Sequence, residues 1–278
     1  MIVSLYNSMK LLVQGKGTED FVEFILEPEA LLEARREKTR LSDPTRMVPR
    51  IGIDESGKGD FFGPMCVAGV YLPSTAVEAL EASGVQDSKR IKSDARIRKV
   101  SDAIRKTPDV LVNVVAIGPE AYNRLYSKMR TVNRLLAWGH ARCIENLLGR
   151  ASEMSEPVSM AIVDQFASSE STVKNAMLAV GRDLQLVQKH KAESDLAVAA
   201  ASILARESFI NRLDALSQDF GMTLPKGASS IVDRAGKEFV SRHGAEALTQ
   251  VAKMHFRTSY RVRGLPEPAK KTVWSRKK

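Results

Sequence analysis

The order of strand-like and helical segments predicts an α/β fold: a mixed five-stranded sheet flanked by helices, followed by C-terminal helices and preceded by a short N-terminal extension. Strand-like runs at 50–54, 65–72 and 110–117 come first and can pair as a meander. Two later runs, at 158–164 and 184–188, alternate with helical stretches that supply the crossovers a parallel pairing needs.

Residues 1–49 stand apart from this pattern. They hold short strand-like runs at 1–5 and 9–13, short helical stretches at 19–26 and 29–40, and a polar linker with a proline at 41–46. From Arg50 the chain enters its first strand. The second strand is followed by a helix at 75–82, an Asp87-Ser88-Lys89 loop and a helix at 94–106. Helices at 119–128 and 131–149 follow the third strand, and a helix at 171–180 separates the fourth from the fifth. A long helix begins at Ser194 and runs to about Leu216, and helices at 229–242 and 245–253 follow it. The stretch 196–205 is apolar on nearly every face and rich in alanine, which predicts a buried helix that its neighbours approach closely.

Composition narrows the function. The hydrophobic fraction is 44%, and no apolar run approaches the ~20 residues of a membrane span, so a soluble cytoplasmic protein is expected. Cys66 and Cys143 fit neither a zinc spacing nor a disulfide framework and read as buried, reduced thiols. Net charge is +9 and unevenly spread. Residues 1–50 are neutral, whereas residues 253–278 carry nine Lys or Arg against one acid, Glu267. That end is where a polyanion would be drawn.

The chemistry concentrates where the first strand ends. Asp54 and Glu55 are followed by Gly57-Lys58-Gly59, a turn whose backbone can approach a phosphate or sugar closely. The next segment is a strand and a third glycine is missing, so a dinucleotide-binding fingerprint is excluded. Asp164 ends the fourth strand, and Glu193 sits where the fifth gives way to the long buried helix. If these strands lie side by side, Asp54, Asp164 and Glu193 meet at one sheet edge, with Glu55 joining them because the strand ends there. Four acids in one pocket resist ionisation unless cations neutralise them, and hard oxygen ligands favour Mg²⁺ or Mn²⁺ over zinc.

Several motifs occur together: Asp-Glu-Ser-Gly-Lys-Gly-Asp-Phe-Phe-Gly-Pro at 54–64, Asp-Ser-Lys at 87–89, Val-Asp-Gln-Phe at 163–166, Lys-Ala-Glu-Ser at 191–194, Ala-Ala-Ala-Ser-Ile-Leu-Ala-Arg at 199–206 and Leu-Pro-Lys-Gly-Ala at 224–228. In content and order they resemble the type 2 ribonucleases H. Within that family the chain is more similar to bacterial ribonuclease HIII than to ribonuclease HII, which usually has Gly-Arg-Gly-Pro after its acids and an aspartate as fourth ligand. Asp164-Gln165-Phe166 and His255-Phe256-x-Thr258 also look like HIII.

The resemblance implies an RNase H-like catalytic domain over 50–260, with 261–278 as a basic tail. It implies an endonuclease that cuts the RNA strand of RNA/DNA hybrids. Asp54, Glu55, Asp164 and Glu193 would hold two divalent ions, Gly57, Lys58 and Gly59 would sense the ribose 2′-hydroxyl, and Lys89 and Lys191 would contact phosphates. Lys58 stands where HIII enzymes commonly have a small or polar residue and HII has arginine. HIII enzymes also usually carry an N-terminal substrate-binding domain resembling the TATA-binding protein, and 1–49 is short for one, so that domain is expected to be degenerate or absent. A nucleic-acid partner and a monomer are expected. The rival readings are HII-like incision at single ribonucleotides embedded in DNA, and a non-catalytic hybrid-binding module.

Overall fold

In a computed structural model the described residues are 2–5, 11–15, 46–85, 91, 93–164, 176–177, 184–189 and 192–268. The helices expected at 19–26, 29–40 and 171–180, the 87–89 loop with Lys89, and Lys191 lie wholly or largely outside them. The chain divides into two compact units, Met1–Val48 and Pro49–Lys278. In the first, β1 (Ile2–Leu5) and β2 (Leu11–Gln14) pair antiparallel.

The second unit is built on a five-stranded sheet. Its strands are β3 (Arg50–Ser56), β4 (Met65–Leu72), β5 (Leu111–Ile117), β6 (Met160–Asp164) and β7 (Gln185–Lys189), in the order β5-β4-β3-β6-β7. β3, β4 and β5 pair antiparallel, whereas β6 runs parallel to β3, and β7 parallel to β6. The sheet is therefore mixed, with the antiparallel meander and the parallel pairings where segment order predicts them.

Helices cover both faces. Between β4 and β5 come α1 (Val77–Ala82) and α2 (Asp94–Lys106). Two more, α3 (Pro119–Met129) and α4 (Val132–Leu148), follow β5. The long helix α5 spans Leu196–Asp219, and α6 (Ser230–His243), α7 (Leu248–Val251) and α8 (Thr258–Val262) come last. The period-two alternation of β4 shows how the layers are sorted. Cys66, Ala68, Val70 and Leu72 pack into a core with α5, while Val67 and Tyr71 pack with Ala137, Ala141 and Ile144 of α4.

As its all-round apolar sequence requires, the first half of α5 is buried from Ala197 to Ala205. It reaches β3 closely because Gly52 has no side chain: a Cβ there would lie 2.2 Å from the Ala197 carbonyl carbon. Asp195 caps the helix, accepting from the Ala197 and Val198 amides, and its other oxygen accepts from Arg50 Nε at 2.7 Å. Both members of that pair are buried, so the start of β3 is tied to the start of α5.

Three boundaries differ from expectation. β3 does not end at Asp54 but keeps pairing with β4 through Ser56. The helix expected at 245–253 is a single turn over Leu248–Val251. It stops because Ala252 turns extended and joins the other side of the sheet-to-turn junction, bridging Phe62, and the Lys253 amide donates to the Phe61 carbonyl. At the C-terminus α8 continues past Tyr260, so the expected tail begins inside a helix. Arg261 is bonded to Asp233, and both Arg257 and Arg261 to Glu267, leaving fewer mobile charges than the sequence count suggests.

Candidate active site

The register of the sheet places the acids. β3 and β6 run parallel with Ile53 opposite Val163, so the next residues, Asp54 and Asp164, stand at the same end of adjacent strands. Asp164 Oδ1 accepts from the Ala192 amide at 3.4 Å. Ala192 opens the short 3-10 turn Ala192–Ser194 that leads into α5, so the backbone of Glu193 comes to the same edge; its side chain lies outside the described residues.

Glu55 behaves differently from expectation. Because β3 continues, successive side chains alternate faces: Asp54 is opposite Ala68 and shares the α5 side, whereas Glu55 is opposite Val67 and shares the α4 side. There Glu55 Oε2 meets His140 Nε2 of α4 at 3.0 Å, and Oε1 lies 3.6 Å from Lys58 Nζ. With Glu55 ionised, Nε2 carries the hydrogen and donates. His140 is fully buried, and it was not singled out from the sequence. The available signal was one histidine on the otherwise apolar buried face of a helix, a pattern that usually means only a satisfied core polar group.

The two neighbouring carboxyls are driven apart in acidity. Burial, with the Glu55 charge next to it, pushes the Asp54 carboxyl up to about 7, against hydrogen bonds from Ser202 of α5 and the Glu55 amide that favour its charged form. Burial also works to raise Glu55, but His140 and Lys58 outweigh it and hold Glu55 below the ordinary carboxylate range. Among the described residues no three His, Cys, Asp or Glu side chains converge closely enough to bind a metal ion. Glu55 is turned toward His140 and Lys58, and Glu193's side chain is not in that set. A divalent cation nevertheless fits the chemistry of this edge, because Asp54 and Asp164 bring hard carboxylate oxygens to the same end of adjacent strands and Asp54 is buried beside a second carboxylate, Glu55.

After β3 the chain makes the Gly57-Lys58-Gly59 turn, with the Asp60 amide donating to the Gly57 carbonyl at 3.4 Å. Gly57 has φ +90°, and a Cβ there would meet the Pro64 carbonyl oxygen at 2.3 Å and the Phe209 ring. Gly59 has neither constraint: its φ is outside the left-handed region, and an added Cβ would find nothing within 4 Å.

The ribonuclease HII family model matches residues 51–259, the stretch that contains the sheet, the acids and this turn. The chain belongs to that family. Its relatives include the ribonuclease HIII of Protochlamydia amoebophila, 46% identical over 258 residues, covering 92% of this chain and 81% of the relative. The ribonuclease HIII of Chlamydia felis is 45% identical over 259 residues, covering 93% and 83%. These alignments are longer than the whole second unit, so they include part of the first. Among solved structures, Bst-RNase HIII in complex with Mn²⁺ superimposes with a TM-score of 0.73 at 29% identity, covering 94% of this chain and 85% of that one. Aquifex aeolicus RNase H3 gives 0.61 at 27% identity, covering 91% and 84%.

The chain is thus a metal-dependent ribonuclease H with the RNase H-like fold, most similar to the bacterial HIII enzymes. Its cofactor is a divalent ion such as Mg²⁺ or Mn²⁺. No helix among the described residues of this ribonuclease H is long and apolar enough to cross a membrane, and Cys66 and Cys143 are both buried free thiols.

Proposed function

We propose that this ribonuclease H hydrolyses the RNA strand of RNA/DNA hybrids internally, as a monomer in the cytoplasm, leaving 5′-phosphate and 3′-hydroxyl ends. The observation that carries this reading is the juxtaposition of Asp54 and Asp164 at one end of two parallel strands, beside a glycine turn open at Gly59.

Asp54, Glu55, Asp164 and Glu193 would hold the divalent ions. When bound, those ions supply the charge neutralisation and water activation of two-metal phosphodiester hydrolysis. The chain's own residues prepare the site. His140 and Lys58 keep Glu55 ionised, Ser202 and the Glu55 amide orient Asp54, and the Ala192 amide orients Asp164. Gly59 has no internal reason to be glycine, which supports close approach by substrate, and the ribose 2′-hydroxyl is the group such a backbone would read. Lys58, with a side chain 42% exposed, bridges the acids and the solvent side of the turn. Lys89 and Lys191 are assigned phosphate contacts on the family resemblance alone.

The finer question is whether a single ribonucleotide embedded in duplex DNA is also cut. Two end-labelled duplexes, a uniform RNA/DNA hybrid and a DNA duplex with one ribonucleotide, incubated with Mg²⁺ or Mn²⁺, test both points. Multiple cuts in the first and little in the second are expected, with Asp54→Asn reducing cleavage by ~10³-fold or more while hybrid binding survives. Incision only beside the lone ribonucleotide would make the enzyme HII-like. Hybrid binding with no cleavage under either metal would leave a binding module.

A further inference from the structure

A lysine that the reaction does not use is completely buried behind the substrate-facing turn. Lys253 has no solvent exposure, yet its ammonium must be satisfied, because an unpaired buried charge costs several kcal/mol. The satisfaction comes from main-chain carbonyls. Nζ donates to Asp60 O at 2.8 Å, Gly63 O at 2.7 Å and Phe62 O at 3.3 Å. All three belong to the segment that joins the acid-bearing strand β3 to β4, and the Tyr122 ring lies 5.8 Å from Nζ.

Three carbonyl dipoles aimed at one point repel each other unless a positive charge sits there. The arrangement therefore specifies a cation with three N–H donors, which an ammonium provides. Burial draws Lys253 down to about 7 while the Asp60 carboxylate opposes the drop. A neutral amine has only two N–H donors, so the protonated form is the one that satisfies all three carbonyls.

The anchor is itself fixed. Asn123 of α3 donates to the Ala252 and Thr249 carbonyls and accepts from the Met254 amide, holding the backbone on both sides of Lys253. The turn is held from this segment and from Gly227: the Lys253 amide donates to Phe61 O, Gly63 N to Val251 O, Phe61 N to Gly227 O, and Gly227 N to Asp60 Oδ1. Every one of these contacts grips residues 60–63. Of the preceding residues, Gly57 is buried against Pro64 and Phe209, and Lys58 and Gly59 are left exposed.

We propose that Lys253 is a positioning residue for ribose discrimination: by gathering the carbonyls of Asp60, Phe62 and Gly63 onto one buried ammonium, it fixes the peptide planes of the turn, so that Gly57–Gly59 presents a preset backbone edge to the substrate. This rests on the ribose-reading role proposed for that turn. The prediction is specific to discrimination, because Lys253 touches neither the acids nor the strands that carry them.

The test uses the full-length chain with Lys253→Met, which keeps length and bulk but removes every donor, and Lys253→Arg, which keeps charge but not three converging N–H groups. Affinity for an RNA/DNA hybrid and for a DNA duplex of the same sequence is measured in the non-cleaving Asp54→Asn background. Mn²⁺ binding by calorimetry and thermal unfolding are measured without that substitution. The expected result is a loss of about tenfold or more in hybrid-over-DNA preference for Met, equivalent to about 1.4 kcal/mol, a smaller loss for Arg, and Mn²⁺ affinity within about twofold of the parent. A purely structural lysine would lower the melting temperature and Mn²⁺ affinity while leaving the preference ratio intact, and that pattern would overturn the proposal. If the Met variant does not fold, Arg decides: a reduced preference supports the anchor, and the parent's preference overturns it. A parent enzyme with no hybrid preference refutes the ribose-reading turn itself, which separates the two failures.

Discussion

At the scale of the residue, Asp54 links metal binding to stability. Its carboxyl titrates from the ordinary 3.8 in the unfolded chain to about 7 in the folded, metal-free protein, through burial and the adjacent Glu55 charge. Between those values the folded state keeps a proton that the unfolded chain has released. The stabilisation is therefore complete below the unfolded pKa and is lost as pH rises through about 7. Glu55 has the opposite sign, since its folded pKa lies below 4.5, and its contribution is lost only in more acidic solution. Calorimetric melting in EDTA should show the melting temperature falling between about pH 4 and 7 through this group, and Asp54→Asn should remove most of that fall and melt higher at the alkaline end. Mg²⁺ at the alkaline end should raise the parent's melting temperature far more than the variant's. Equal pH slopes in the two proteins would detach the acid pair from this role.

At the scale of the element, the strands and the buried helix were legible because burial writes itself into periodicity. β4 alternates between two cores, and α5 is apolar on all sides because it is enclosed on all sides. What escaped sequence reading depends on partners distant in the chain. Nothing local says that β3 persists through Ser56; the pairing of Glu55 with Val67 decides it, and that pairing aims Glu55 at His140, 85 residues away. Lys253 read as one charge of a basic tail because its three acceptors lie some 190 residues earlier. The turn that these long-range contacts hold contains two glycines with different reasons to be glycine. Gly57→Ala forces a Cβ against the Pro64 carbonyl at a positive φ, and should destabilise the protein by about 1–3 kcal/mol. Gly59→Ala meets open space and should leave stability unchanged or raise it by up to ~1 kcal/mol through the unfolded chain, while weakening hybrid cleavage through KM. Denaturant unfolding alongside steady-state kinetics on the two variants separates these effects. Full activity in Gly59→Ala would show that substrate does not approach that Cα.

At the scale of the whole molecule, the excess of positive charge divides into two populations with different physical roles. Of the nine basic residues after position 252, Lys253 is buried, Arg257 and Arg261 are paired with Glu267, and Arg263 Nε bonds the Ser259 carbonyl. These four stabilise the C-terminal part of the fold. Lys270, Lys271, Arg276, Lys277 and Lys278 follow the last described residue and form the remaining basic cluster. A deletion meant to test that cluster must spare Glu267, because cutting at Leu265 would strip Arg257 and Arg261 of their shared carboxylate and confound binding with folding. Ending the chain after Pro268 avoids this. Each phosphate neutralised contributes roughly 0.7–0.9 to the slope of log affinity against log salt, so loss of five cationic side chains should flatten that slope by up to about 4 and weaken hybrid binding most at low salt. Hybrid and DNA duplex should lose affinity together, since counterion release carries no information about the sugar. Titrations at several salt concentrations, on both duplexes, measure this directly. An unchanged slope would mean that residues 1–268 hold the polyanion without the last ten, and a loss confined to the hybrid would give the tail a share in telling RNA from DNA.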